Sequence, residues 1–353
     1  MSINRAFWRN KRILITGHSG FKGSWLTLWL SQLGANITGV SLKPDINQSL
    51  FEMLQIEKKC DSNILNILNE KEMDLIFDKA DPEIVFHLAA KSLVRQSYSE
   101  PILTFSTNVI GTANILNAMR NRKSIKAAVF VTTDKVYKNN EYSGPFQEED
   151  ALGGHDPYSS SKAASEIVIE SFYKSFLKAQ GLGIISARAG NVIGGGDWSR
   201  DRLIPDAIKS WDSGQALQIR NPLAIRPWQH VLEPLYAYIV LAENLWKNNS
   251  YSGSYNIGPN TQDHLTVLDI INLALKNYGT GSIKIDRDHE DLYEAEVLKL
   301  KTDKLRNLFS IQPRWSVPIA IEKTINWYKF QKQGIDAEKL CLDDIEVFEN
   351  NDV

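Results

Sequence analysis

Ile13-Leu14-Ile15-Thr16-Gly17-His18-Ser19-Gly20-Phe21-Lys22-Gly23, near the start of a 353-residue chain, joins an apolar run to a Gly-x-x-Gly-x-x-Gly loop. The β-branched run closing on Gly17 reads as a buried parallel strand. A helix is then expected from about Lys22 to Leu33, stopping at Gly34, a residue suited to the first position past a helix. Gly17 suits a tight turn, Gly20 lets backbone approach a pyrophosphate, and Gly23 lets the helix pack on the strand. The helix N-terminus adds free amides and partial positive charge. Glycine-rich turns are common, but between a strand and a helix this spacing predicts a dinucleotide site on Gly17, His18, Gly20, Phe21, Lys22 and Gly23.

Roughly 20 residues further on, an NAD site normally carries an acid for the ribose. Here the second strand, Asn36 to Ser41, runs into Ser41-Leu42-Lys43, with Asp45 slightly late. On these residues NAD and NADP both stay open. His18 is unusual in such a loop and reads either as crowding the cofactor or as stacking at the loop edge.

Further buried strands are expected at Glu83 to Leu88, Ala127 to Thr132 and Leu182 to Ser186, with helices at Asn108 to Arg120 and Ser159 to Lys178. Strand and helix alternate as parallel crossovers require, which predicts an α/β fold. The expected architecture is a Rossmann-type doubly wound parallel sheet over 1–190 with a smaller mixed α/β substrate-binding domain over 191–345. Segments near 225–260 would return to the first domain, and 346–353, with Glu349 and Asp352, would be a frayed tail.

Lys plus Arg total 40 and Asp plus Glu 42, so a net charge of −2 offers no field for nucleic acid or an anionic membrane. The two cysteines, Cys60 and Cys341, form no ligand pair, and the six histidines show no metal spacing, so no metal is expected. Met1 to Arg5 leads into no signal-peptide pattern, and Trp25 to Leu33 is too short to span a bilayer. The expected location is cytoplasmic.

Tyr158-Ser159-Ser160-Ser161-Lys162 puts a phenol and an ammonium four residues apart, on one helix face. A free tyrosine is a weak base, with a pKa of about 10, and a nearby cation favours its phenolate. Such a pair can take a hydroxyl proton while hydride leaves the same carbon. Thr132-Thr133-Asp134-Lys135 ends the strand from Ala127, on the carboxyl edge where open α/β sheets place their sites. Thr133 would partner Tyr158, and an acid and an amine beside a redox centre can move protons at neighbouring carbons. Arg95, Arg188, Arg202, Arg220 and Arg226 are candidates for diphosphate oxygens, with about half expected to be ordinary surface charges. Trp228 reads either as a stacking platform for a base or as core.

Together these motifs resemble the CDP-glucose 4,6-dehydratases. The likeness rests on Gly17 to Leu26 with its histidine, on His87-Leu88-Ala89-Ala90 with Leu93-Val94-Arg95, on Thr133-Asp134-Lys135-Val136-Tyr137, and on Gly153-Gly154-His155-Asp156-Pro157-Tyr158. It continues through Ala187 to Trp198, Asp201 to Asp206, and Ile219 to Leu235, and covers about residues 8–330. The dTDP-glucose and GDP-mannose dehydratases carry a glutamate where Lys135 stands. The resemblance implies bound NAD regenerated in each turnover, and a CDP-glucose substrate. It implies Tyr158, aided by Thr133 and Lys162, as the base at the 4-hydroxyl, and Asp134 as the acid at the 6-hydroxyl. Lys135 would take the C5 proton, or else hold cofactor or substrate. Cofactor contacts are implied at Asn66, Ile67, Leu88, Ala89, Ala90 and Lys91, with Tyr158 and Lys162. Substrate contacts are implied at Arg95, Asn191, Arg202, Leu203, Arg220, Arg226 and Trp228. A homodimer or homotetramer is implied as well, with a product feeding deoxysugars of bacterial lipopolysaccharide O-antigen. Lys91-Ser92 and Asn66-Ile67 depart from the usual Gln-Pro and Asp-Ile, and Lys301 stands where an acid is usual.

Overall fold

The computed structural model describes residues 2–46, 48–139, 144–260, 263–286 and 295–350. In chain order, β1 (Arg12–Thr16), α1 (Phe21–Gln32), β2 (Asn36–Ser41), β3 (Asp61–Ile64), α2 (Glu70–Ala80) and β4 (Ile84–His87) come first. They are followed by α3 (Gly111–Met119), β5 (Ala127–Val131), α4 (Pro157–Phe172) and β6 (Gly183–Ala189). Then come α5 (Leu203–Asp212), β7 (Ala216–Ile219), α6 (Leu232–Lys247), β8 (Gly253–Ile257) and α7 (Val267–Tyr278), with β9 (Ser282–Ile285), α8 (Val317–Lys332) and α9 (Ala337–Asn350) last.

Seven strands form one parallel sheet in the order β8-β6-β5-β4-β1-β2-β3. The order reverses between β1 and β4, and the crevice beyond their carboxyl ends is where such sheets bind ligands. Alternation along each strand explains the two layers. Ile13, Ile15, Ile84, Phe86, Ala127 and Val129 join one buried core, while Leu14, Val85, Ala128 and Phe130 join the other. With both faces covered, the strands read as continuous apolar runs.

β3 and β8 lack that signature, which is why the sequence did not announce them. β3 is Asp-Ser-Asn-Ile, an edge strand with no fully buried residue, and β8 opens on Gly253 at the other edge. β8 and α6 nevertheless bring the later half back onto the sheet, since β8 pairs with β6. The first core runs on without a break into Trp211, Leu217, Ile270 and Trp315. β7 and β9 form a small parallel pair outside the main sheet.

Two helices differ from expectation. The one expected from Asn108 begins at Pro101 and passes through a π-turn, Ser106–Ile110, before α3. At the chain end, α9 continues to Asn350 with Cys341 and Phe348 fully buried, so most of the supposed tail is docked helix. Residues 351–353 lie outside the described residues. Among the described residues no helix is long and apolar enough to cross a membrane.

Candidate active site

The loop between β1 and α1 is shaped by contacts that exclude side chains. Gly17 has φ +79°, and a Cβ there would meet the Ala89 nitrogen at 2.7 Å. A Cβ on Gly23 would run into the Gly17 carbonyl. Gly20 is different: a Cβ there would meet nothing of the chain closer than 3.4 Å. Its missing side chain leaves the backbone open where the free amides of α1 begin. This is the cradle a pyrophosphate requires, and the residues fit a dinucleotide.

His18 departs from both expectations. Its ring is fully buried, edge-on to Phe51, with Nε2 2.7 Å from Ser62 Oγ, and it fills the space left by Gly39. Burial lowers its pKa to about 4, so the ring is neutral. It packs β1, β2 and β3 together. Next to it Ser19 Oγ donates to the Leu42 carbonyl at 2.8 Å and pairs with Ser41 Oγ, where the ribose acid is absent.

Opposite the loop, Leu88-Ala89-Ala90-Lys91 leaves β4. Leu88 N donates to the Thr16 carbonyl at 3.0 Å and Ala89 N to Thr16 Oγ1 at 3.3 Å. The buried Asn108, placed by the π-turn, accepts from Lys91 N at 2.8 Å and donates to the Lys91 carbonyl and to Ser161 Oγ. Asn108 thus ties this loop to α4, a role that a helix-period reading of the segment misses. Lys91 Nζ pairs with Glu100 at 3.1 Å. Asn66 is exposed and closes its own turn by accepting from Leu68 N, and Ile67 is buried in the second core.

Tyr158 stands in the first turn of α4. Pro157 presets that turn, and Asp156 caps it by accepting from Ser159 N at 2.9 Å. Burial pushes the phenol up to about 12; its interaction with the Thr133 hydroxyl and the charge of Arg202 pull the other way. Thr133 Oγ1 donates to Asp134 Oδ1 at 2.9 Å. Asp134 is 2 % exposed, and its Oδ2 has no partner among the described residues. The Tyr238 hydroxyl on α6 is likewise buried and unpartnered, and close enough to Tyr158 for their charges to interact. Two polar atoms close to Tyr158 are thus buried without a partner among the described residues. Lys162, one turn beyond Tyr158, donates to the Val131 carbonyl at 2.8 Å, and burial lowers it to about 8.

Lys135 lines a recess with Val94, Tyr137, His155, Asp156 and Leu298. Beneath it lies a buried network. Arg188 pairs with Glu166 at 3.0 Å, Glu166 accepts from Thr132 Oγ1 at 2.6 Å, and Arg188 also donates to the Tyr137 hydroxyl. Arg188 is therefore a structural cation that pins the end of β5, not an anion binder. Arg226 is 2 % exposed and donates to the Ile225 and Glu296 carbonyls. Trp228 lies in the core, 5 % exposed, which favours packing over base stacking.

Arg95, Arg202 and Arg220 do converge. Arg95 and Arg220 flank Asp201 Oδ1 at 3.8 Å each, and Arg202 Nη2 reaches the Ser92 carbonyl. Leu203 follows at the start of α5, partly packed on the first core, and Asn191 lies partly buried beside Gln229. Among the described residues no group of three His, Cys, Asp or Glu side chains is placed to hold a metal.

The sequence profile of the GDP-mannose 4,6 dehydratase family matches residues 14–329. The chain belongs to this family. Like other members, it is an enzyme built on the α/β sheet described above. It is 41% identical over 340 residues, 95% of each chain, to a CDP-glucose 4,6-dehydratase of Salmonella typhimurium. It is 27% identical to a dTDP-glucose 4,6-dehydratase of Haemophilus influenzae, over 91% of this chain and 99% of that one. The crystal structure of dTDP-glucose 4,6-dehydratase from Bacillus anthracis in complex with NAD superposes with a TM-score of 0.78 at 25% identity, covering 92% of this chain and 98% of that one. A UDP-glucose 4-epimerase from Thermotoga maritima shares the fold, with a TM-score of 0.78 at 22% identity over 91% of this chain and 99% of that one.

Proposed function

We propose that the protein is a hydro-lyase that binds NAD and converts CDP-glucose to CDP-4-keto-6-deoxyglucose. The observation that carries this reading is the Asp134-Lys135 pair at the end of β5. It stands beside Tyr158 and Thr133, and one buried Asp134 oxygen has no partner among the described residues. The nucleotide and sugar follow the 41%-identical relative.

When bound, NAD would accept hydride from C4 of the sugar and return it at C6. Tyr158, bonded to Thr133, takes the proton of the 4-hydroxyl, and Lys162 on the same helix face favours the phenolate. The ketone at C4 acidifies the C5 hydrogen. Lys135 removes that proton while Asp134 protonates the departing 6-hydroxyl, which leaves as water. Reduction at C6 and a proton returned to C5 complete the product. Arg95, Arg202 and Arg220 supply forked donors for the diphosphate, and Asp201 lies between two of them.

Mixing the protein with NAD and CDP-, dTDP-, UDP- or GDP-glucose should yield loss of one water from the CDP-sugar alone, read by mass spectrometry. In D2O the product should carry deuterium at C5. A product of unchanged mass would point to 4-epimerisation instead and overturn the reading, as would a product made without deuterium.

A homodimer, or a pair of homodimers, fits the surface. Ile102, Ile110 and Ile167 are 77%, 53% and 59% exposed on the segment leading into α3 and on α4. Ile102→Glu combined with Ile167→Glu should give a monomer by light scattering; an unchanged mass would place the interface elsewhere. Cytoplasmic location agrees with two unpaired thiols, Cys60 and Cys341. Supply of deoxysugars for O-antigen agrees with the proposed product.

A further inference from the structure

Val131, Thr132 and Thr133, at the carboxyl end of β5, are each met by a different residue of one face of α4. Tyr158, Lys162 and Glu166 step along that face at intervals of four. Lys162 Nζ donates to the Val131 carbonyl at 2.8 Å, Thr132 Oγ1 donates to Glu166 Oε1 at 2.6 Å, and the Thr133 hydroxyl interacts with Tyr158. Glu166 is itself fixed. It is buried, and Arg188 grips both its oxygens, through Nε at 3.1 Å and Nη2 at 3.0 Å. The Ser254 hydroxyl on β8 bridges the pair, accepting from Arg188 and donating to Glu166.

The titratable groups facing Lys162 come from three elements: Lys22 on α1, His87 on β4, and Glu166 one turn further along α4. Lys22 has the same sign as Lys162, and burial lowers His87 to about 3, so that ring is neutral. Asp134, Asp156 and Arg202 act on Tyr158 instead. When Tyr158 and Lys162 together lose one proton, it can come from either. The result is a phenolate beside an ammonium, or a phenol beside an amine, with the same total charge. The first form is the base. We propose that Glu166 is a positioning residue that decides between them, keeping the remaining proton on Lys162 so that Tyr158 is the group that gives its proton up. A fixed negative charge one turn from the ammonium favours it more than it opposes a phenolate two turns away. Burial acts the other way, raising Tyr158 to about 12 and lowering Lys162 to about 8 against the pull of Glu166. Arg188 holds the carboxylate in place for this task.

The inference rests on Tyr158 being the base of the proposed reaction, and two measurements separate them. Glu166→Gln leaves Arg188 buried without its anion, so Glu166→Gln with Arg188→Met, which removes both partners of the pair, is made beside it. The unliganded protein is labelled with carbon-13 at lysine Cε, and the Lys162 resonance is identified by its loss in Lys162→Met. That resonance should titrate about one pH unit lower in both variants than in wild type. Reduction of NAD in a single turnover with CDP-glucose should stay within about twofold of wild type at pH 6, because with Lys162 protonated the phenolate depends on Tyr158 alone. Towards pH 9 the rate should level off about one unit early, at roughly a tenth of the wild-type plateau. A rate lowered by the same factor at every pH would mark a merely structural role and overturn the inference, as would an unchanged Lys162 titration. Failure of wild type to reduce NAD with any nucleotide sugar would overturn the proposed reaction instead. The lysine titration, read without ligand, would still decide whether Glu166 holds the proton on Lys162.

Discussion

Tyr158→Phe is expected to lower kcat by about 10²- to 10⁴-fold, the span of a positioned acid–base group, while the nucleotide sugar still binds. The ring stays, so the buried first turn of α4 keeps its packing, and only the hydroxyl bonded to Thr133 is lost. The direct readout is reduction of bound cofactor in a single turnover, which should slow by the same factor as kcat. Because the loss falls at the first proton transfer, exchange of C5 with D2O should slow in parallel. In the unliganded protein burial holds the phenol at about 12, so at neutral pH it is protonated and must be activated by what binds. The wild-type rate should accordingly rise with pH from the acid side. A full rate in Tyr158→Phe would assign the proton transfer to another group.

Mild acid should destabilise the fold through histidines that cannot take up protons. His18, His87 and His230 are each at most 2 % exposed, and burial lowers them to about 4, 3 and 3. His87 lies between Thr16 Oγ1 at 2.7 Å and Thr112 Oγ1 at 3.1 Å. Below about pH 6.5 the unfolded chain protonates all three and the folded chain does not, so stability falls as pH falls. Near pH 5 the three together remove roughly 4 kcal/mol per pH unit. Glu233 and Asp344 act in the opposite sense, because burial raises them to about 8 and 6 and the folded chain keeps their protons. Each returns about 1 kcal/mol per unit, and Glu148, Asp206 and Asp263, which burial also raises, act in the same sense, so the net loss is smaller than the histidine share. Urea unfolding followed by tryptophan fluorescence at pH 7, 6 and 5 measures this slope. His87→Gln should remove about 1.4 kcal/mol per unit of the histidine share. Equal slopes in wild type and variant would show that His87 takes up its proton in the fold.

Local pattern alone determined the central strands, α1, the glycine loop and the Tyr158/Lys162 pair. The reason is that each obeys a short-range rule: an apolar run for a strand buried on both faces, a fixed glycine spacing for a phosphate turn, and a four-residue step for one helix face. Thr133-Asp134-Lys135 was legible too, because the carboxyl end of a parallel strand is where an open sheet puts its chemistry. The edge strands β3 and β8 were not, since an edge with a polar or glycine-led sequence buries too little to leave a pattern. Tertiary structure alone decided which charges serve the site. Arg188 and Arg95 are the same residue type, yet one is sealed against Glu166 and the other is 37% exposed beside Asp201. His18 lies inside the cofactor loop by sequence and beneath the sheet in space. Tyr238, some 80 residues from Tyr158, joins the site only because α6 returns across the sheet. Burial and charge at these positions are set by neighbours distant in the chain, which no local reading contains.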